Sequence, residues 1–209
     1  RQGYVNDGSI TFSISISGIA ESKDETLKDD KFLSPNGRSN VILVIGGKKL
    51  HVCKEILAEA SPMFDSLFFK EWQEKDKEEI PLEDVDYEDF VHTLFVIYPD
   101  PFEFTPSNVD SILRVADRFL MKGVLHRAEN YLIYTRDFEV EKKLEYADKY
   151  NLAALLRECL LSMESVKQIK KLKNTESYNG LSNATKVAVF ERMTDIMESD
   201  SDSSMDEEA

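Results

Sequence analysis

Apolar and polar positions along the 209-residue chain fall into several distinct rhythms. Residues 9–17 (SITFSISIS) alternate strictly, Ile10, Phe12, Ile14 and Ile16 against Thr11, Ser13, Ser15 and Ser17, and predict a strand with one face to bury. A single strand cannot bury itself, so it needs a partner sheet or leaves an open edge. Residues 18–38 are polar, close on Ser34-Pro35-Asn36-Gly37, and read as a linker carrying the isolated hydrophobes Phe32 and Leu33. Val41 to Ile45 then form a near-continuous aliphatic run, the pattern of a strand covered on both faces. Gly46-Gly47 supplies the positive φ angles of a hairpin turn, and Lys49-Leu50-His51-Val52-Cys53 alternates as the return strand.

Helical spacing follows. Ser61-Pro62 reads as an N-cap and first-turn proline, with Phe64, Leu67 and Phe68 on one face behind it. After a strand near Ile80–Leu82, Asp86 caps a helix whose apolar positions are Phe90, Val91, Leu94, Phe95 and Tyr98, stopped by Pro99. Thr105-Pro106 opens the next, with Val109, Ile112, Leu113, Ala116, Phe119 and Leu120 at helical spacing and Gly123 as its break. The segment ADRFLMKGVLHRAENYL from Ala116 recurs as ADKYNLAALLRECLLSM from Ala147, an offset of 147 − 116 = 31 residues. Each copy predicts a helical hairpin with one apolar face, so stacking one on the other buries both. A last amphipathic segment, 181–197, places Val187, Phe190, Met193 and Ile196 on one stripe as a cap to the stack. Beyond it, 198–209 alternates acids and serines with almost nothing to bury and predicts a disordered tail.

Composition narrows the function. The net charge of −14 disfavours a phosphate backbone as partner, because that affinity depends on Lys and Arg neutralising phosphates. Lys167, Lys170, Lys171 and Lys173 form a local cluster that reads as a solvated helix face rather than as a nuclear address or a nucleic-acid contact. Cys53 and Cys159 stand far apart and both predict reduced thiols, not a disulfide framework. No stretch approaches the roughly 18–20 apolar residues of a spanning helix. His51, His92 and His126 share no metal-ligand spacing with cysteines or carboxylates, and Gly46-Gly47-Lys48 lacks the remaining residues of a phosphate loop. With no nucleophile elbow either, the expectation is a protein without enzymatic chemistry or cofactor. Trp72 instead stands out, because every neighbour within two residues is polar, the make-up of an interface anchor; folding back as a core cap is the alternative. In the acidic tail, Ser199, Ser203 and Ser204 each have an acid three residues on, the arrangement an acid-directed kinase favours, although a purely solubilising tail has the same composition.

Residues 39–134 carry, in order, VILVI, the turn GG, KLHVCKEILAEASPMF, EEIPLEDVD, DYEDFVHTLFVIYP and ADRFLMKGVLHRAENYL. This succession resembles the BTB (POZ) family, in its branch fused to a MATH domain. The resemblance implies an α+β fold, a short hairpin and small sheet flanked by helices, over 39–134, and a helical extension over 135–197 similar to a three-box or BACK region. YVNDGSITFSISISG looks like the end of a MATH sandwich. Residues 1–17 are thus expected to be a remnant of an upstream substrate-binding domain, or else an extra strand on the BTB sheet.

By the same likeness the chain is expected to homodimerise through a face holding Ile56 and Met63. Phe32 and Leu33 either cross that interface or pack on their own subunit. The family's hydrophobic-x-Glu motif, which contacts the cullin-three scaffold, is matched by Trp72 and Glu74; Tyr98 and an exposed Phe102 would border that surface, Tyr98 being equally readable as core. Asn40 stands where the family usually has Asp, and Cys53 where it often has His, which alters a pocket that some relatives build with the basic position at Lys54. The implied role is substrate adaptor of an intracellular, cytoplasmic or nuclear, cullin-RING ubiquitin ligase, with a protein substrate held upstream and no nucleic acid or membrane partner. The competing reading is an oligomerisation scaffold that binds no cullin.

Overall fold

The computed structural model describes residues 30–70, 78–99 and 101–205. The expected strand at 9–17 and the anchor residues Trp72 and Glu74 lie outside the described residues.

A short helix α1 (Asp30–Leu33) precedes the hairpin of β1 (Val41–Ile45) and β2 (Lys48–Val52), which pair antiparallel with Val41 opposite Val52 and Leu43 opposite Leu50. Gly46 and Gly47 turn it at φ 55° and 82°, angles that side chains with a Cβ adopt only with strain. The return strand starts at Lys48, one residue earlier than its alternation suggested, and ends at Val52, because Cys53 leaves it to become the N-cap of the next helix. Strand β3 (Glu79–Pro81) adds to the other side of β1 in parallel, giving the order β2-β1-β3. Pro81 has no N–H to donate, and an edge strand is where a sheet tolerates that. Coverage of β1 is unequal: Val41, Leu43 and Ile45 are buried, whereas Ile42 and Val44 are only half-buried, so the aliphatic run is not sealed on both faces.

Helices α2 (Lys54–Ala60) and α3 (Pro62–Phe69) meet at Ser61, whose hydroxyl accepts from Phe64 N at 3.2 Å and donates to the carbonyl of Phe119 at 2.5 Å. Asp86 caps α4 (Tyr87–Ile97) as its position implied, accepting from Glu88 N and Asp89 N at 2.8 and 3.1 Å. These elements enclose the first core. Its centre is aromatic, with Phe64 stacked on Phe119 at 5.0 Å between ring centroids and Phe90 edge-on to Phe119 at 5.5 Å.

The repeat is structural as well as sequential. Helices α5 (Val109–Arg118) and α6 (Lys122–Tyr134) recur as α7 (Val140–Lys149) and α8 (Ala153–Leu161), with both helix starts and the first helix end displaced by the offset read from the sequence. Each pair turns through one residue in the left-handed region, Leu120 at φ 55° and Asn151 at φ 53°. In each, the next amide reaches back into the preceding helix, Met121 N to Ala116 O at 2.7 Å and Leu152 N to Ala147 O at 2.9 Å. Gly123 therefore does not break the helix; it sits inside the first turn of α6, and the break falls at Leu120. Likewise Thr105-Pro106 begins a turn, not a helix: the Asn108 side chain folds back to accept from Thr105 N at 2.9 Å, and α5 starts at Val109.

After α9 (Val166–Lys173), opened by a Ser165–Gln168 capping box, and α10 (Glu176–Gly180), the long α11 (Asn183–Met205) closes a second core with α7–α9. Its inward residues are Thr185, Val189 and Ile196, while Val187, Phe190 and Met197 are each more than half exposed. Of the expected stripe, Met193 and Ile196 do face the second core, whereas Val187 and Phe190 are turned outward. Polar contacts set that rotation: Asp148 accepts from Ser182 N at 2.9 Å and from the hydroxyls of Ser182 and Thr185, and Arg192 Nε donates to Leu160 O and Met163 O at 3.1 and 3.2 Å. A satisfied hydroxyl can occupy an inward position that hydrophobicity alone would give to Val187. The helix also runs on to Met205 where a disordered tail was expected, since no Gly or Pro interrupts 183–205 and extending a helix is far easier than nucleating one.

The two cores meet along the α5–α6 hairpin. Ile112, Val115, Phe119 and Val124 face the first; Val109, Leu113, Ala128 and Leu132 face the second.

Candidate protein-interaction surface

The candidate surface is built where α1, the open ends of the hairpin, α2 and α3 come together. Asn40, one residue before β1, ties its backbone to Val52 O at 3.0 Å and so stands beside the start of α2. Its side-chain oxygen accepts from Lys54 N at 2.8 Å, which supplies the cap that the Cys53 side chain does not. The amide nitrogen donates to both oxygens of Glu55, at 3.1 and 2.8 Å. An aspartate could accept the first bond but has no proton for the second, so Asn40 lets the acid Glu55 sit where two carboxylates would repel. The Cys53 thiol also donates to Glu55, at 3.0 Å. That bond, the Glu55 backbone N–H and Asn40 together hold the Glu55 carboxyl below its ordinary range.

Behind this polar cluster lies Tyr98. Its hydroxyl accepts from Cys53 N at 2.9 Å, and burial pushes its ionisation above the ordinary tyrosine range. The ring packs edge-on to Phe32 at 5.0 Å, and Phe32 in turn on Phe95 at 5.3 Å. Tyr98 is only 9% exposed and Phe32 is fully buried. Of the two readings open for each residue, contact or own core, both rings take the second and close the core of their own subunit. Phe102 is half-buried, edge-on to Phe104 at 5.3 Å, and not the exposed residue expected.

Other residues remain on the outside. Leu33, Met63 and Phe69 are each 47% exposed, and Ile56 is half-buried against the core. Phe69 ends α3, immediately before the segment that contains Trp72 and Glu74. Among the described residues no cluster of His, Cys, Asp and Glu is arranged to hold a metal ion, and no helix is long and apolar enough to cross a membrane. A shallow depression of about 240 Å³ lies between the start of α4 and α5, lined by Asp84, Asp86, Asp89, Arg114 and Arg118. Both its arginines are paired, Arg114 to Asp89 at 3.0 Å and Arg118 to Asp84 at 3.8 Å.

Comparison with known proteins adds the decisive observation: a model of the BTB/POZ domain matches residues 30–136. The chain belongs to the BTB/POZ family. This BTB/POZ chain is similar to two Caenorhabditis elegans proteins. It is 34% identical over 183 residues to BTB and MATH domain-containing protein 36, and 38% over 158 residues to BTB and MATH domain-containing protein 38. Those alignments take in 88% and 76% of this chain but only 56% and 41% of the relatives' lengths. Kelch-like protein 40 of Xenopus laevis is 34% identical over 106 residues, or 51% of this chain and 17% of that one.

Sequence reasoning missed the Glu55 carboxylate and the roles of Glu129 and Asp148. Glu129 is 8% exposed and accepts from Ala154 N and Leu155 N at 2.8 and 3.0 Å, capping α8 from the preceding hairpin. A carboxylate on an otherwise apolar helix face was the available signal.

Proposed function

We propose that this BTB/POZ chain is the dimerising, scaffold-binding part of a cullin-three RING ubiquitin-ligase adaptor. The observation that carries the reading is that α1 and α3 leave Leu33, Met63 and Phe69 exposed on a BTB/POZ domain that the chain shares with BTB and MATH domain-containing and Kelch-like proteins. Leu33 and Met63, with the half-buried Ile56, are assigned to a twofold interface, which reuses one patch on both partners. Phe69 continues into Trp72 and Glu74, assigned to the scaffold, with Phe102 at its margin. Tyr98 acts behind this surface by fixing the Cys53 amide. A protein substrate would be held by a MATH-type domain upstream, of which residues 1–17 are the expected end.

Two measurements test it. Ile56→Asp buries an unpaired charge twice per dimer and is expected to give monomers by light scattering, whereas the parent chain is dimeric at tens of micromolar. Trp72→Ala should weaken calorimetric binding to the cullin-three N-terminal domain by about 2–4 kcal/mol, the range of a central aromatic anchor, with an unchanged thermal melt. A monomeric parent chain overturns the dimer face. A dimer with no measurable cullin binding leaves the second reading, an oligomerisation scaffold, which the self-contained packing of α7–α11 supports.

A further inference from the structure

Helix α11 is apolar on two faces, and its own subunit covers one of them. Thr185, Val189 and Ile196 point into the second core, whereas Val187, Phe190 and Met197 are 54, 55 and 53% exposed. At 3.6 residues per turn these three fall within one stripe about 80° wide, which runs about 15 Å along the helix axis. Thr194 lies in the same stripe, and the resulting spacing of three, four and three residues is that of the seam by which one helix packs along another. The Thr194 hydroxyl is already taken by Glu191 O at 2.7 Å, so the stripe calls for no polar partner along its centre.

One edge of the stripe is acidic. Glu191 and Asp195 stand one turn apart along it, both exposed, and neither is ion-paired among the described residues. Like charges at this spacing repel, where a base opposite an acid would attract. Arg192, one turn before Asp195, does not answer them, because it is turned inward with Nε donating to Leu160 O and Met163 O. The bare stripe and the unanswered acids are each unfavourable for the chain alone. A single occupant relieves both if it brings apolar residues at matching spacing and bases along one edge. We infer that the outer face of α11 is a docking site for a basic amphipathic helix of another protein. Its apolar positions lie along Val187, Phe190 and Met197, and its Lys or Arg side chains reach Glu191 and Asp195. Charge disfavours the other occupants. A second copy laid antiparallel would set the acidic edge against itself. A helix lying on a membrane surface carries Lys and Arg on its polar face, where this one carries acids. The site belongs to the second core and does not depend on what α1–α3 bind.

The test titrates the 209-residue chain by calorimetry with a synthetic peptide of leucine and lysine, about 18 residues or five turns long, whose leucines follow the seam spacing. A control peptide has the same composition with the leucines dispersed around the helix. The first is expected to bind in the micromolar range, about tenfold or more tighter than the control. Phe190→Ser and Val187→Ser should each weaken it about tenfold, with unchanged thermal melts because both side chains are more than half exposed. Glu191→Lys/Asp195→Lys should weaken it by a similar factor, whereas Glu103→Lys/Asp117→Lys, the same change of net charge at two exposed acids outside α11, should not. Equal binding of the two peptides, or undiminished binding by both serine variants, overturns the seam. Equal losses from the two charge reversals overturn the acidic edge and reduce the binding to general attraction towards an acidic chain. Self-association that Phe190→Ser abolishes in light scattering puts a second copy on the stripe and overturns the proposal.

Discussion

The α5–α6 and α7–α8 hairpins share helix starts, the residue at which each turns and the back-bonded amide that closes the turn, yet they are held in place by different means. The first is fastened by rings: Phe119 lies among Phe64 and Phe90, and its carbonyl takes the Ser61 hydroxyl. The second adds carboxylates to its apolar packing, Glu129 gripping the start of α8 and Asp148 the start of α11. One local conformation thus serves two modes of tertiary attachment, and only the apolar mode leaves a periodic trace in the chain. Four substitutions break or sharpen this contrast.

Removing a carboxylate should do the most. Glu129→Ala strips two amides at the start of α8, one of them buried, of their acceptor, and is expected to cost about 2–3 kcal/mol in urea unfolding. A loss below about 1 kcal/mol would mean that water replaces the carboxylate and that the second hairpin is held by apolar contact after all. Exchanging the turn residues should do less. Leu120 gains little from burial, being 54% exposed, and sits in a conformation that asparagine tolerates better. Leu120→Asn should raise stability by about 1 kcal/mol and Asn151→Leu lower it by a similar amount, read from the same unfolding curves. Equal and opposite shifts would establish that the two turns are energetically equivalent; a neutral Leu120→Asn would assign Leu120 a contact that its exposure conceals.

The smallest effect is one of pH. Burial pushes the Asp148 carboxyl up, but the bonds it accepts from the Ser182 and Thr185 hydroxyls and the Ser182 amide outweigh this and leave it below its ordinary value. A carboxyl lowered in the folded state contributes stability above its unfolded value of about 3.9, and that contribution is lost as pH falls through the folded value. Melting temperatures followed from pH 6 to pH 3 should therefore drop more steeply for the parent chain than for Asp148→Asn, with the difference confined to the acid side of about pH 4. Parallel curves would remove Asp148 from the attachment of α11.

Much of this architecture was legible because it is written in local pattern. Val41 to Val52, the Ser61 and Asp86 caps and the helical repeat all rest on contacts within a few residues or on strict periodicity. The errors share the opposite character. Leu120 in place of Gly123 as the turning residue reflects a backbone angle that leucine seldom adopts. The inward face of α11 was misjudged because Thr185 is made apolar in effect by Asp148, a partner 37 residues away. At the candidate surface, Met63 and Ile56 were singled out by the family likeness and not by spacing, and Phe32 and Tyr98 are drawn into the core by each other and by Phe95, a three-ring contact that no single helix pattern displays.

Sharing α5 and α6 between two cores has a mechanical consequence. The family match ends at residue 136, but a chain cut there would present Val109, Leu113, Ala128 and Leu132 bare to solvent, because their covering comes from α7–α9 and α11. The hairpin behaves as a common axle: neither core can turn about it without tearing the packing of the other. Whatever is seated on α1–α3 would consequently be held at a set angle to the outer face of α11.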